Sequence, residues 1–89
     1  MYLAKIYVTL KSTINDPQGQ TVLRGLNTLG FSMVAKVRVG KYLEIQLNES
    51  NQQKAEALIS NMCHKLLSNP VIEDFRFDLE EATSTITFD

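Results

Sequence analysis

Cysteine, histidine, tryptophan, charge of one sign and long apolar runs are all scarce in this chain of 89 residues, and each scarcity narrows its role. Cys63 is the only cysteine, which excludes an intramolecular disulfide and a multi-thiolate metal centre and points to a reducing, cytoplasmic compartment. His64 is the only histidine, so no metal site is expected: one His and one Cys cannot supply the ligand set that zinc takes from a single chain. Nine Lys and Arg stand against ten Asp and Glu, a formal net charge of -1, and no overall field draws in a nucleic acid backbone. No membrane span is expected, and the first residues lack the basic and then apolar pattern of a secretory signal. A phosphate-cradling glycine loop of the Walker type is absent as well. What remains is ordinary: 44% hydrophobic and 21% charged residues, the balance of a soluble globular chain. At 10.1 kDa there is one domain and little room for a closed active-site cavity, so self-association or a larger partner is expected from the outset.

The order of elements follows from periodicity. Tyr2, Ala4, Ile6, Val8 and Leu10 alternate with Lys5, Thr9 and Lys11, the pattern of a half-buried strand from Tyr2 to Lys11. Asp16-Pro17 pairs a capping acceptor with a proline at the first helical position, and Val22, Leu23, Leu26 and Leu29 then fall at helical spacing before Gly30. A helix is therefore expected from Pro17 to Leu29. Between Met33 and Leu47 the apolar residues Met33, Ala35, Val37, Val39, Leu43, Ile45 and Leu47 keep one parity. That parity rejects a two-residue hairpin at Gly40-Lys41 and leaves a three-residue loop Gly40-Lys41-Tyr42 or one long strand bent at Gly40. A straight strand of that length would overhang its own domain and require a partner. Ser50 and Gln53 form a capping box ahead of the stripe Ala55, Leu58, Ile59, Met62, Leu66 and Leu67, ending a second helix near Ser68. Val71, Phe75, Phe77 and Leu79 face Asp74, Arg76, Asp78 and Glu80 in a last strand, and residues 81–89 form a tail that frays or adds an edge strand. The fold class is α+β: strand, helix, long or double strand, helix, strand, with both helices on one face of a mainly antiparallel sheet in a single domain over residues 1–80.

Catalytic chemistry is hard to find. Cys63 and His64 are neighbours on a helix and point about 100° apart, so the reading is a buried structural thiol and a solvated histidine, not a dyad. The pairs Glu73-Asp74 and Glu80-Glu81 read as solvated strand and tail positions. Two stretches carry more than structure needs. Gly19, inside the first turn after Asp16-Pro17-Gln18, carries a helix cost of about 1 kcal/mol relative to alanine, which signals a close approach to that backbone. Lys36 and Arg38 share one strand face beside Gly40-Lys41, a candidate anion or partner contact.

Taken in order, Asp16-Pro17-Gln18-Gly19, Leu29-Gly30-Phe31, Val37-Arg38-Val39-Gly40-Lys41-Tyr42, Met62-Cys63-His64-Lys65-Leu66-Leu67 and Asn69-Pro70-Val71-Ile72-Glu73-Asp74-Phe75 resemble the PurS family, the small subunit of bacterial and archaeal phosphoribosylformylglycinamidine synthase. The resemblance runs from residue 2 to residue 80. It departs at Lys11 to Asn15, at His64 and in the tail. The resemblance implies a ferredoxin-like-related fold and a non-catalytic adaptor that acts as a homodimer or tetramer. It further implies a large synthetase subunit of PurL type and a glutaminase subunit of PurQ type as partners. ATP, magnesium and glutamine are then used by those subunits, and this chain holds no cofactor. On this reading Asp16, Pro17, Gln18, Gly19, Arg38, Gly40 and Lys41 form the partner interface, with Arg38 foremost. The rivals are a small-molecule-sensing regulatory domain of the amino-acid-binding type, an RNA-binding sheet using Tyr7 and Tyr42, and an acylphosphatase-like enzyme. The last two lack their glycine-aromatic or phosphate-loop signatures.

Overall fold

The computed structural model describes residues 1–82. Strand β1, Tyr2–Leu10, is flanked on one side by β2, Gly40–Leu47, and on the other by β3, Glu73–Glu81, in an antiparallel sheet of order β2-β1-β3. Register places Ala4 between Ile45 and Leu79, Ile6 between Leu43 and Phe77, and Val8 between Lys41 and Phe75. Among the described residues only the central strand gains neighbours on both edges, so Ala4, Ile6 and Val8 are buried while Leu43, Ile45, Phe75, Phe77 and Leu79 beside them stay half-buried and Lys41 is exposed.

Helix α2, Gln52–Met62, covers this face with the buried residues Ala55 and Ile59. It runs on into one π-helical turn, Cys63–Leu67, closed by Ser68, whose backbone N–H and hydroxyl both donate to the Cys63 carbonyl at 2.9 Å. The extra residue in that turn keeps Cys63 in the core, half-buries Leu67 and swings Leu66 into solvent. Fully burying a side chain such as Ile6 or Ile59 stabilises the fold by about 1.5–3 kcal/mol. The expected buried thiol is thus found. His64 is exposed, with its ring edge-on to Phe75 at 5.0 Å.

Helix α1, Pro17–Thr28, starts as expected at Asp16 and Pro17 and ends at Leu29, followed by Gly30 with a φ of 100°. Its position is less usual. Among the described residues it packs substantially against no strand, and its apolar stripe is only partly covered: Leu23 and Leu26 are half-buried, while Leu29 is 75% exposed and Val22 44% exposed. The radius of gyration is 16.7 Å, against about 12 Å for a compact domain of this length.

Several expectations shift. The chain does not double back at Gly40: β2 begins there, and residues 34–39 form no ladder with any described strand. Of the two arrangements left open by parity, the three-residue hairpin loop is excluded, because β2 pairs with β1 and residues 34–39 do not pair with it. The cap of α2 is Asn51, one residue after the expected Ser50, because the Asn51 side chain accepts from Lys54 N at 3.0 Å while Glu49 receives the Asn51 N–H. Val71 lies in a turn and not in the strand, since the Asn69 side chain accepts its N–H and the Asn69 carbonyl accepts those of Ile72 and Glu73. Glu81 completes β3, and the tail from residue 83 lies outside the described residues.

Candidate partner-docking site

Five of the seven residues expected at a partner interface meet at the junction of α1 and the segment that leads into β2. Asp16 stands at the helix N-cap, where one carboxylate oxygen accepts from Gly19 N at 2.9 Å. Its other oxygen accepts from Val39 N at 2.8 Å, 23 residues further along the chain. These two N–H donors hold the Asp16 carboxyl below the usual carboxylate range, Gly19 first and Val39 second, with the Arg38 charge adding to them. A carboxyl whose folded pKa is depressed contributes stability above its ordinary pKa and loses it as pH falls through the folded value.

The close approach signalled by Gly19 is to this chain's own backbone. A Cβ there would collide with the Val37 carbonyl and the Asp16 carboxylate, so glycine is what allows the segment to lie against the first turn of α1. Gly40 is held for a similar reason: a Cβ would come within 2.5 Å of the Val8 carbonyl as β2 joins the sheet opposite Thr9. Asp16, Gly19 and Gly40 therefore shape the site from within. Pro17, Gln18, Arg38 and Lys41 are its solvent-facing members.

On one side of the junction lies a groove of about 270 Å³ walled by Ser12, Asn15, Gln20, Lys36 and Arg38. Asn15 and Gln20 were not foreseen, and they pair by a hydrogen bond from Gln20 Nε2 to Asn15 Oδ1 at 2.7 Å. Nothing in their spacing marks them, because the groove exists only once the 34–39 segment has folded back. On the other side Pro17, Thr21, Val22 and Val39 line an open apolar recess. Neither Lys36 nor Arg38 forms an ion pair among the described residues. The charges on the open face of the sheet behave differently: Lys5 pairs with Glu80 at 2.7 Å, Lys11 with Asp74 at 2.9 Å and Arg76 with Asp78 at 3.6 Å. Arg76 also lies 3.9 Å above the Tyr7 ring, which contacts Tyr42. That face is tied by direct ion pairs, whereas at the junction the Asp16 carboxylate is the nearby anion and Lys36 and Arg38 make no direct ion pair among the described residues.

A second feature escaped sequence reasoning. Ile45, Leu58, Met62, Leu66 and Leu67 line an almost wholly apolar groove of about 380 Å³ beside α2. The stripe of α2 was legible, but not that its outer half is left without cover among the described residues. Among the described residues no group of His, Cys, Asp and Glu is placed to hold a metal. Burial pushes the Cys63 thiol up, which keeps it protonated and a poor nucleophile. The arrangement is suited to binding other protein surfaces.

Comparison with known proteins places this geometry. The family model for PurS, phosphoribosylformylglycinamidine (FGAM) synthase, matches residues 3–81. Subunit PurS of FGAM synthase from Bacillus subtilis is 42% identical over 84 residues, covering 94% of this chain and 99% of that one. The fold is similar to the crystal structure of Methanocaldococcus jannaschii PurS, with a TM-score of 0.83, 39% identity and coverage of 92% of this chain and 99% of that one. A chain in the structure of PurLQS from Thermotoga maritima superposes with a TM-score of 0.79 at 28% identity, over 90% of this chain and 99% of that one. The extent of these matches and the shared fold lead to one conclusion: the chain belongs to the PurS family, the small subunits of the purine-biosynthetic FGAM synthase.

Proposed function

We propose that this chain is the adaptor of a three-part FGAM synthase, acting in the cytoplasm as a homodimer or tetramer that bridges a PurL-type synthetase and a PurQ-type glutaminase and supports ammonia transfer between them. The PurLQS assembly of the Thermotoga relative supports those partners. ATP, magnesium and glutamine are used by the larger subunits, and this chain contributes no turnover and binds no cofactor. The observation that carries the reading is the exposed part of the apolar stripe of α1 together with segment 34–39, which pairs with no strand among the described residues. A second copy would satisfy both. Its β2 edge offers backbone groups to segment 34–39, and the groove beside its α2 offers apolar surface to Val22, Leu26 and Leu29. Residues 1–80 then act as one domain whose core is completed across the two-fold axis.

Arg38 leads the contact to the synthetase, with Pro17, Gln18 and Lys41 beside it. A planar guanidinium that forms no ion pair among the described residues is suited to a bidentate pair with a carboxylate of another subunit. Breaking such a pair once buried costs about 3–5 kcal/mol, or roughly a hundredfold or more in affinity. Arg38→Ala is therefore expected to weaken assembly with the synthetase by that factor and to lower glutamine-dependent FGAM synthesis at limiting small subunit, while ammonia-dependent synthesis by the large subunit persists. Reconstitution from separately purified subunits measures both rates, and unchanged assembly by Arg38→Ala removes Arg38 from the interface.

A further inference from the structure

One carboxylate joins two parts of the chain that otherwise have little in common. Asp16 caps α1 through Gly19 N and holds the approach to β2 through Val39 N, so the two ends of a loop containing all of α1 are tied at one side chain. Among the described residues, segment 34–39 has no ladder to fix it and α1 has no substantial sheet contact. Val39 N–H finds its acceptor in Asp16, and the Val37 carbonyl rests on the bare Cα of Gly19. We propose that Asp16 and Gly19 form a latch, with Asp16 as a positioning residue, that sets the angle between α1 and segment 34–39 and so presents both to a second copy as one preassembled unit. The proposal rests on the homodimer reading above and deepens it.

The physical argument is preorganisation. If the segment were free to pivot before Gly40, each association event would have to order its backbone as well as make the contacts, and affinity would fall accordingly. A carboxylate suits the task because its two oxygens can accept from two donors at once. An amide has one such oxygen and an N–H2 that repels an N–H donor. Glycine at 19 suits it because any side chain there would push the Val37 carbonyl away. The two residues thus act on the same contact by independent chemistry, one by hydrogen bonding and one by space.

The test compares wild type, Asp16→Ala, Asp16→Asn, Gly19→Ala and the Asp16→Ala/Gly19→Ala double variant by sedimentation equilibrium, with amide hydrogen exchange followed in the same samples. The latch predicts that both alanine variants raise the dissociation constant for self-association about tenfold or more, with Asp16→Asn in between. Because the variants open the same contact, the double variant should be little weaker than either single one. Exchange at Val39 and Gly19 should accelerate while Ala4, Ile6 and Val8 of β1 keep their protection, which separates loss of positioning from loss of fold. Association equal to wild type in Asp16→Ala and Gly19→Ala overturns the latch, as does weakening that appears only together with lost protection across β1. A wild-type chain that stays monomeric overturns the homodimer reading itself, and the latch with it.

Discussion

Leu29→Glu is expected to leave this protein folded and unable to associate with itself. In the single chain Leu29 is 75% exposed at the end of α1, so the sheet does not depend on it. In a symmetric dimer the same side chain is buried twice, and each burial stabilises the assembly by about 1.5–3 kcal/mol. Losing both raises the dissociation constant by roughly a hundredfold to ten-thousandfold, before the added cost of placing carboxylates against apolar surface. Size-exclusion chromatography with light scattering checks the mass, and far-ultraviolet circular dichroism checks that the secondary structure persists. Leu29→Ala should fall between Leu29→Glu and wild type, since it removes surface without adding charge. A Leu29→Glu protein that associates as strongly as wild type would show that α1 is not what a second copy covers.

Ile59→Ala is expected to act in the opposite place, on the fold and not on the assembly. Ile59 is completely buried and packs with Ala4, Ile6, Val8 and Cys63, where α2 closes over the central strand. Truncating a buried isoleucine to alanine costs about 2–5 kcal/mol, the removed apolar contact plus the cavity left behind. Small domains are stable by only about 5–15 kcal/mol, so this one change removes much of the total. A fall in Tm of at least about 8 °C follows, given shifts of roughly 4–8 °C per kcal/mol for a domain of this size. Urea denaturation at a fixed protein concentration is the direct check; a midpoint within error of wild type would mean that α2 does not anchor the sheet.

How much of this was legible in the sequence depended on whether the controlling contact was local. The alternation of β1 revealed its buried face because a central strand is filled on that face along its whole length. Asp16-Pro17 marked the start of α1 because capping is settled within a single turn. At α2 the local rule was right and the residue wrong: Ser50 and Asn51 can both cap, and the neighbouring Glu49 carboxylate favours Asn51. Parity between Met33 and Leu47 correctly rejected a two-residue turn. It could not show where the ladder stops, because residues 34–39 find no pairing strand among the described residues. The stripe of α1 was visible too, but a stripe says that something will be covered and not by what.

The site was legible in its residues and not in their division of labour. Gly19 announced a close approach through its helix cost, yet the approaching group is the carbonyl of Val37, which spacing alone cannot nominate. Asp16 was read first as a cap and then as an interface residue, and it bridges both parts of the chain. Arg38 was singled out for its chemistry, and the structure leaves it exposed and without an ion pair among the described residues. Lys36, noted only as its neighbour on the strand face, stands beside it in the same groove.

The described residues form an incomplete unit: a three-stranded sheet with one helix packed on it, and a second helix and a lead-in segment that the sheet does not cover. Sedimentation equilibrium of the purified wild-type chain, extended over a wide concentration range and paired with thermal unfolding, tests this most directly. The account predicts a particle of at least twice 10.1 kDa that dissociates on dilution, with a Tm that rises with concentration because association stabilises the folded chain. A 10.1 kDa species whose mass and Tm are the same at every concentration would contradict it.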